Sequence, residues 1–496
     1  MATSPFYVSC VPLRDTKLTD KHNEGGLTRP NRVLAAHPVC LTGTGKNGTI
    51  GLKNPAAGPP GKSMKEVEPM AEIKPFAALR YNLEKAGKIE ELTCPPYDII
   101  SEEQRRAFLE RNEYNVIRLE LPIGDDPYTD AGNTLHSWLE DGVLTQDMDE
   151  GLYIYEEEFL SNVTHGETKS LKGLVCRVRV EDFSSNVVLP HEETLSKAKE
   201  DRLNLMKATG CNFSQIYSLY QDEAHVTRRR LDNLSQTCAP RYEFSDGLVT
   251  HRFWVINDPV AIRALCEDFA GRKLYIADGH HRYETAINYR NQIREQGLYS
   301  PGSEYVMMML ADMADEGLVV HPTHRLVRGL SAFDAERLLE DCAAYFTVER
   351  RESPAALEGE LAALYAEGKK AFGFLSDTVT ALLTLKDAAV MREILPEKSD
   401  AYRLLDVSVL HSLVLERLLG IDRENMANQL NLRYTRSVDE AVVSVKDGES
   451  NCAFLLNPTR VSEIGDVASH GEKMPQKSTY FYPKLITGLA MNRLTD

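Results

Sequence analysis

After about residue 70 the apolar positions fall into regular patterns, whereas before it they do not. The segments 152–159, 173–180, 252–256 and 304–310 are dense in β-branched and aromatic residues and read as strands. Asn115-Val116-Ile117-Arg118-Leu119-Glu120-Leu121 alternates with a period of two and predicts one more. Helical spacing falls between them, near 131–140, 195–207 and 282–296. Order is expected to begin near Ile73-Lys74-Pro75-Phe76. The turn-forming run Thr93-Cys94-Pro95-Pro96-Tyr97-Asp98 is followed by Ser101, with Gln104 three residues on, which reads as a capped helix start. Beyond Ser331 the pattern continues on a smaller scale. It predicts a helix at 355–366, strands near 371–374 and 381–385, and a strongly apolar helix over 404–419 ended by Gly420. No repeat is present, and the expected fold class is mixed α/β.

Residues 1–69 are rich in Gly, Pro, Thr and Asn and read as a disordered extension. An acid-poor, hydroxyl-rich start is compatible with organelle import, although arginines are few and Asp15, Asp20 and Glu24 come early. The expected compartment is otherwise the cytoplasm. Gly61-Lys62-Ser63 imitates the end of a nucleotide-binding P-loop. Ala56 stands where glycine is needed, however, Pro59 and Pro60 occupy the loop, and no strand precedes it, so that reading is rejected.

Composition narrows the classes. A net charge of −17 argues against a nucleic-acid partner, since such proteins need a basic face. No apolar run is long enough to span a bilayer, so no membrane partner is expected. The nine cysteines are scattered without a C-x-x-C pair, which suggests neither a disulfide framework nor a cysteine zinc site. The expected partner is a small-molecule substrate.

Four clusters carry candidate chemistry. In Asp278-Gly279-His280-His281-Arg282, between the apolar Leu274-Tyr275-Ile276-Ala277 and a helical pattern, two imidazoles and a guanidinium meet a helix N-terminus. That arrangement suits phosphate or another anion. The plain alternative is a helix start with incidental histidines, but such groups are costly to bury without partners. Pro190-His191-Glu192-Glu193-Thr194 precedes a helix running toward Gly210, on which Glu192, Ser196, Lys199 and Leu203 would share a stripe with Arg202 beside it. Glu192 can serve there as general base toward a hydroxyl, or merely as an acidic residue in a first helical turn. Lys477-Ser478-Thr479, in a loop bracketed by Pro475 and Pro483, offers an ammonium and two hydroxyls, or forms a surface turn. His321-Pro322-Thr323-His324-Arg325 could join His191, His280 and His281 as metal ligands, though the spacing matches no familiar metal motif.

These clusters, in this order, resemble a widespread family labelled as a domain of unknown function, carried by the blocks PPYDIIS, HEET, IADGHHRYETA, HPTHR and MPQKSTYFYPKL. That family resembles the ParB/sulfiredoxin-like fold and, within it, archaeal free-serine kinases, which transfer a phosphoryl group from a nucleotide to L-serine. The resemblance implies a ParB/sulfiredoxin-like core over 70–330 and an additional C-terminal α/β segment over 331–496 that contributes the Lys-Ser-Thr loop. It further implies Glu192, Asp278 and His281 as catalytic residues, and Gly279, His280 and Arg282 as nucleotide-phosphate ligands. Substrate would be held by His191, Arg202, Lys477, Ser478 and Thr479, and the cofactors would be ATP or ADP with Mg²⁺, the metal touching Asp278. One departure stands out. Where the serine kinases have an arginine and a histidine after the paired hydroxyls, this chain has Tyr480 and Phe481. Lys484 or Arg202 would have to supply the missing cation. The rival readings are a metal-dependent phosphatase or hydrolase and a non-catalytic nucleotide-binding regulator.

Overall fold

The computed structural model describes residues 70–161, 166–192, 194 and 196–494, with the backbone alone at Ser196 and Lys197. The N-terminal extension, its P-loop imitation and Glu193 lie outside the described residues. The part from Val67 to Asp496 is one compact unit. Its class is mixed α/β.

A nine-stranded sheet forms the larger half. Across it run Val188–Leu189, Leu274–Asp278, Ile216–Tyr220, Tyr305–Asp312, Glu167–Arg179, Leu152–Ser161, Val249–Ile256 and Tyr242–Ser245, with Ile73–Lys74 added beside Glu167–Arg179. Alternation along these strands sends side chains to two separate cores, because successive Cβ atoms leave a strand on opposite faces. Tyr153, Tyr155, Val175, Met307 and Met309 enter one core, while Leu152, Ile154, Leu174, Met308 and Leu310 enter the other. Both faces are therefore covered.

A six-stranded sheet follows, in the spatial order Phe346–Arg351, Thr380–Leu385, Ala371–Ser376, Cys452–Leu455, His324–Val327 and Leu432–Thr435. Phe346, Phe372, Phe374 and Phe454 on one of its faces belong to the same apolar cluster as Tyr153 and Met307 of the large sheet. The C-terminal segment then pairs in two small two-stranded sheets. Phe481–Tyr482 pairs with Val319–Val320, and Asn492–Arg493 pairs with Cys211–Asn212. Isolated bridges join Cys94 to Thr487 and Glu192 to Met474.

Two sequence expectations differ from the structure. The alternating segment at 115–121 is a helical turn, Ile117–Glu120, rather than a strand. Buried Asn115 turns the chain there: its Oδ1 accepts from the Ile117 N–H at 3.0 Å, and its Nδ2 donates to the Glu91 and Thr93 carbonyls. Such a side chain competes with a strand ladder for the backbone. The apolar helix expected over 404–419 begins at Asp406 and passes into a π-helical stretch, Leu410–Glu416, with Val407 through Leu415 all buried. Polar Asp406, Ser408, His411 and Ser412 are buried with their apolar neighbours, so no polar face marks where the segment starts.

The large sheet also encloses a proton-sharing group. The Tyr155 hydroxyl lies 2.7 Å from Glu157 Oε1 and 2.8 Å from His251 Nδ1, and His251 Nε2 lies 3.4 Å from Asp246. Burial pushes the Glu157 carboxyl up to about 7, with His251 and Tyr155 only partly offsetting it. An acid whose folded-state pKa exceeds its unfolded value holds its proton more tightly when folded, so stability falls as pH rises between the two. Against an unfolded value of about 4.5 the loss reaches about 3 kcal/mol by pH 8. Urea unfolding at pH 5 and pH 8 should show this loss in the native chain and much less of it in Glu157→Gln. Equal pH slopes in the two proteins would mean that Glu157 does not titrate in this window.

Candidate functional site

The strand Leu274–Asp278 and the helix His280–Glu295 meet at Gly279, whose φ of 94° is a left-handed value natural to glycine. No side chain caps this helix, and helix N-termini are places where proteins hold anions. A Cβ on Gly279 would lie 2.8 Å from Arg282 Nε, because the guanidinium folds back over the turn. Arg282 Nη1 donates to the Gln215 carbonyl at 2.7 Å, and its Nη2 lies 3.5 Å from Asp278 Oδ2. Lys484 Nζ stands 3.3 Å from the other oxygen, Asp278 Oδ1. Desolvation works to raise the Asp278 carboxyl, but Lys484 and then Arg282 outweigh it and hold it below the usual aspartate value.

His191 follows the edge strand Val188–Leu189 and is 1% exposed. Its Nδ1 donates to the Ile276 carbonyl at 2.5 Å, which fixes the tautomer and leaves Nε2 to accept from the Thr479 hydroxyl at 2.9 Å. Its backbone N–H donates to His280 Nε2 at 3.2 Å, and the two rings meet edge to face at 4.5 Å. Burial pushes all three imidazoles below the ordinary histidine value. At His280 the neighbouring His191 and His281 add to it, while at His281 the Glu192 and Glu284 charges oppose it. The histidines therefore stand as neutral hydrogen-bonding groups at neutral pH.

The loop after Met474 closes the site. Met474 bridges to Glu192, its N–H donating to the His191 carbonyl at 2.6 Å, and Glu192 Oε1 accepts from the Lys477 N–H at 2.7 Å. Lys477 adopts a φ of 56°, and its side chain is exposed. The Ser478 hydroxyl donates to the Pro475 carbonyl at 2.5 Å and so shapes the loop. Arg325 Nη2 donates to the Lys477 carbonyl at 3.0 Å from beneath.

Of the residues singled out in sequence, His191, Glu192, Asp278, Gly279, His280, Arg282 and the 477–479 loop form one connected set, with His281 at its rim. Arg202 lies beside Arg282, the two lining one small cavity with Glu120, and its own donors are committed: it donates to the Glu120 carbonyl, pairs with Asp201 and stacks over Tyr97 at 4.1 Å. The expected stripe along the helix also changes. The helix spans Ser196–Thr209, so Glu192 precedes it and belongs to the bridge with Met474. Lys199 and Thr194 both turn to Glu284, at 2.7 Å each. The metal expectation does not fit the histidine set. His191 uses both nitrogens, His280 Nε2 is taken, and His324 Nδ1 accepts from the Leu456 N–H. Among the described residues no three metal-ligating side chains converge. Asp278 likewise faces two cations, so magnesium held by that carboxylate does not fit. Arg325 is the site residue whose role sequence reasoning missed. Its motif was visible, but only the fold carries it under the loop.

Residues 73–408 match the model of a protein family of unknown function, DUF1015, and the chain belongs to that family. No curated protein sequence matches it. Among solved structures it is similar to a conserved hypothetical protein from Pyrococcus furiosus, at 14% identity and a TM-score of 0.30, over 61% of this chain and 91% of that one. A mutant free serine kinase in complex with ADP is similar at 13% identity and a TM-score of 0.32, over 62% and 89%. A C-terminally truncated SbnI from Staphylococcus aureus gives 12%, a TM-score of 0.33, and 64% and 87%.

The Gly279 turn can be tested by itself. Gly279→Ala places a side chain at a left-handed φ and against Arg282, and should lower unfolding free energy by about 1–2 kcal/mol in urea titration. Gly271→Ala, with open space around its Cβ, should stay within about 0.5 kcal/mol of the native chain.

Proposed function

We propose that this member of the DUF1015 family is a phosphotransferase, moving a phosphoryl group from ATP or ADP to the hydroxyl of a small molecule, with free L-serine as the first acceptor to test. One observation carries the reading: Glu192 is pinned by the Lys477 N–H within the same hydrogen-bonded set as an uncapped helix N-terminus bearing Arg282. Phosphoryl transfer asks a protein mainly for positioning, for neutralisation of phosphate charge and for a base on the acceptor.

The residues fit a nucleotide phosphate. The N-terminus of the helix and the Arg282 guanidinium provide donors and charge, and His281 adds a neutral imidazole. Glu192 has one oxygen fixed by Lys477, which orients the other toward an acceptor. In the transfer step that oxygen takes the hydroxyl proton while the hydroxyl oxygen attacks phosphorus. The bond from phosphorus to the bridging oxygen breaks, and its electron pair leaves with the shortened nucleotide. Magnesium, when bound with the nucleotide, supplies charge neutralisation. The ion pairs of Asp278 with Lys484 and Arg282 support a role for that aspartate in orienting Arg282.

Purified protein with Mg²⁺, ATP or ADP and L-serine should yield O-phosphoserine detectable by phosphorus NMR. Glu192→Gln should slow turnover by about 10²–10⁴-fold while leaving nucleotide affinity unchanged within about twofold. If no hydroxylated acceptor is phosphorylated with either nucleotide, the reading fails. Nucleotide binding that survives without turnover in the native chain would instead support a regulator.

A further inference from the structure

The segment His321-Pro322-Thr323-His324 holds two imidazoles that the phosphate turn does not use. His324 is 2% exposed, and its Nδ1 accepts from the Leu456 N–H at 3.2 Å, so its proton resides on Nε2. That Nε2–H is buried with no hydrogen-bond partner, and so is His321 Nε2. Burial, with Arg325 adding to it, lowers His324 to about 4, and burial with Arg436 lowers His321, so both rings are neutral at neutral pH. A buried donor left without an acceptor is costly, and a native chain that carries one points to a group that arrives from outside. A metal ion does not answer it, because His324 Nε2 carries a proton in place of a free lone pair.

Both histidines line one cavity of about 390 Å³. Arg436 and Glu358 line it too; both are exposed, and among the described residues neither forms an ion pair. The Arg436 guanidinium stands 4.2 Å from the Tyr480 ring and near enough to His321 to act on it. Leu361 and Leu455 give the cavity apolar walls. One cation and one carboxylate, each without a partner and both beside apolar walls, match a molecule that carries both charges on an apolar body. None of these residues belongs to the set around Glu192 and Asp278. The cavity nevertheless borders the loop, since the His321 N–H donates to the Tyr480 carbonyl at 2.8 Å.

We infer that this cavity is a second ligand site, for a free α-amino acid with an apolar side chain. Its carboxylate pairs with Arg436 and accepts from His324 Nε2–H, its ammonium pairs with Glu358, and its side chain lies against Leu361 and Leu455. Such a ligand differs in kind from a hydroxylated phosphoryl acceptor, and the inference does not rest on the phosphotransferase reading.

Calorimetric titration of the full chain with L-leucine, L-methionine and L-phenylalanine tests it, each beside its amide, which lacks the carboxylate, and its α-hydroxy acid, which lacks the ammonium. At least one amino acid should bind about tenfold more tightly than both of its analogues, and should still do so in Glu192→Gln. Arg436→Gln should bring that amino acid and its amide within about threefold of each other, and Glu358→Gln should do the same for the amino acid and its hydroxy acid. Both substitutions fall at exposed positions and leave the core untouched. If none of the three amino acids binds, or if both preferences persist in the two variants, the inference is overturned. Amino-acid binding that is lost in Glu192→Gln and unchanged in Arg436→Gln would place the ligand at the other site and overturn it equally.

Discussion

The imidazole of His191 is the constraint on which the site depends. Three chain segments meet on this one residue: its Nδ1 is committed to the Ile276 carbonyl, its Nε2 to Thr479, and its backbone N–H to His280. Thr479 and Ile276 are separated by two hundred residues of chain, and the edge strand carrying His191 is only two residues long. Such a short strand has little ladder of its own. The buried, fully satisfied histidine therefore contributes most to holding the loop against the turn. Its neutral state is part of that role, because a protonated ring could not accept from Thr479.

Charge in the site is segregated by residue type. The imidazoles are kept neutral by burial, and Asp278 is kept ionised by Lys484 and Arg282. Arg282 is thus oriented by a carboxylate on its own turn, while Arg325 is buried against neutral acceptors under the loop. The two guanidiniums differ in where their counter-charge comes from: Asp278 on the same turn lies 3.5 Å from Arg282, whereas the acid acting on Arg325 is Glu192, from a segment distant in sequence.

Sequence reasoning did well where local pattern and local chemistry coincide. The strand–turn–helix at Asp278–Arg282, the Ser101–Gln104 capping box and the long strands of the large sheet all follow from residue spacing within a dozen positions. It failed where a side chain overrode the pattern. Asn115 diverted an alternating segment into a helical turn, and a segment buried on every side hid the start of its helix at Asp406. In the site, Glu192 was placed on the wrong element, because no local signal distinguishes a first helical turn from an extended residue bridged by a partner 282 positions away.

Alone, the amino-acid order determined which groups are present: one glycine-hinged turn bearing two histidines and an arginine, one glutamate beside His191, one hydroxyl-rich loop, and a net charge of −17. These are properties of residue type and near-neighbour spacing, and they survive any arrangement of the rest. Only tertiary structure decided which charges have partners. Arg202 found Glu120 and Asp201, Asp278 found Lys484, and Arg325 found neutral hydrogen-bond acceptors with Glu192 acting on it without a direct ion pair among the described residues. Counter-charges come from segments distant in sequence, and whether a cation is solvated, paired or stranded depends on burial. Burial is a property of the packed chain that no local pattern encodes.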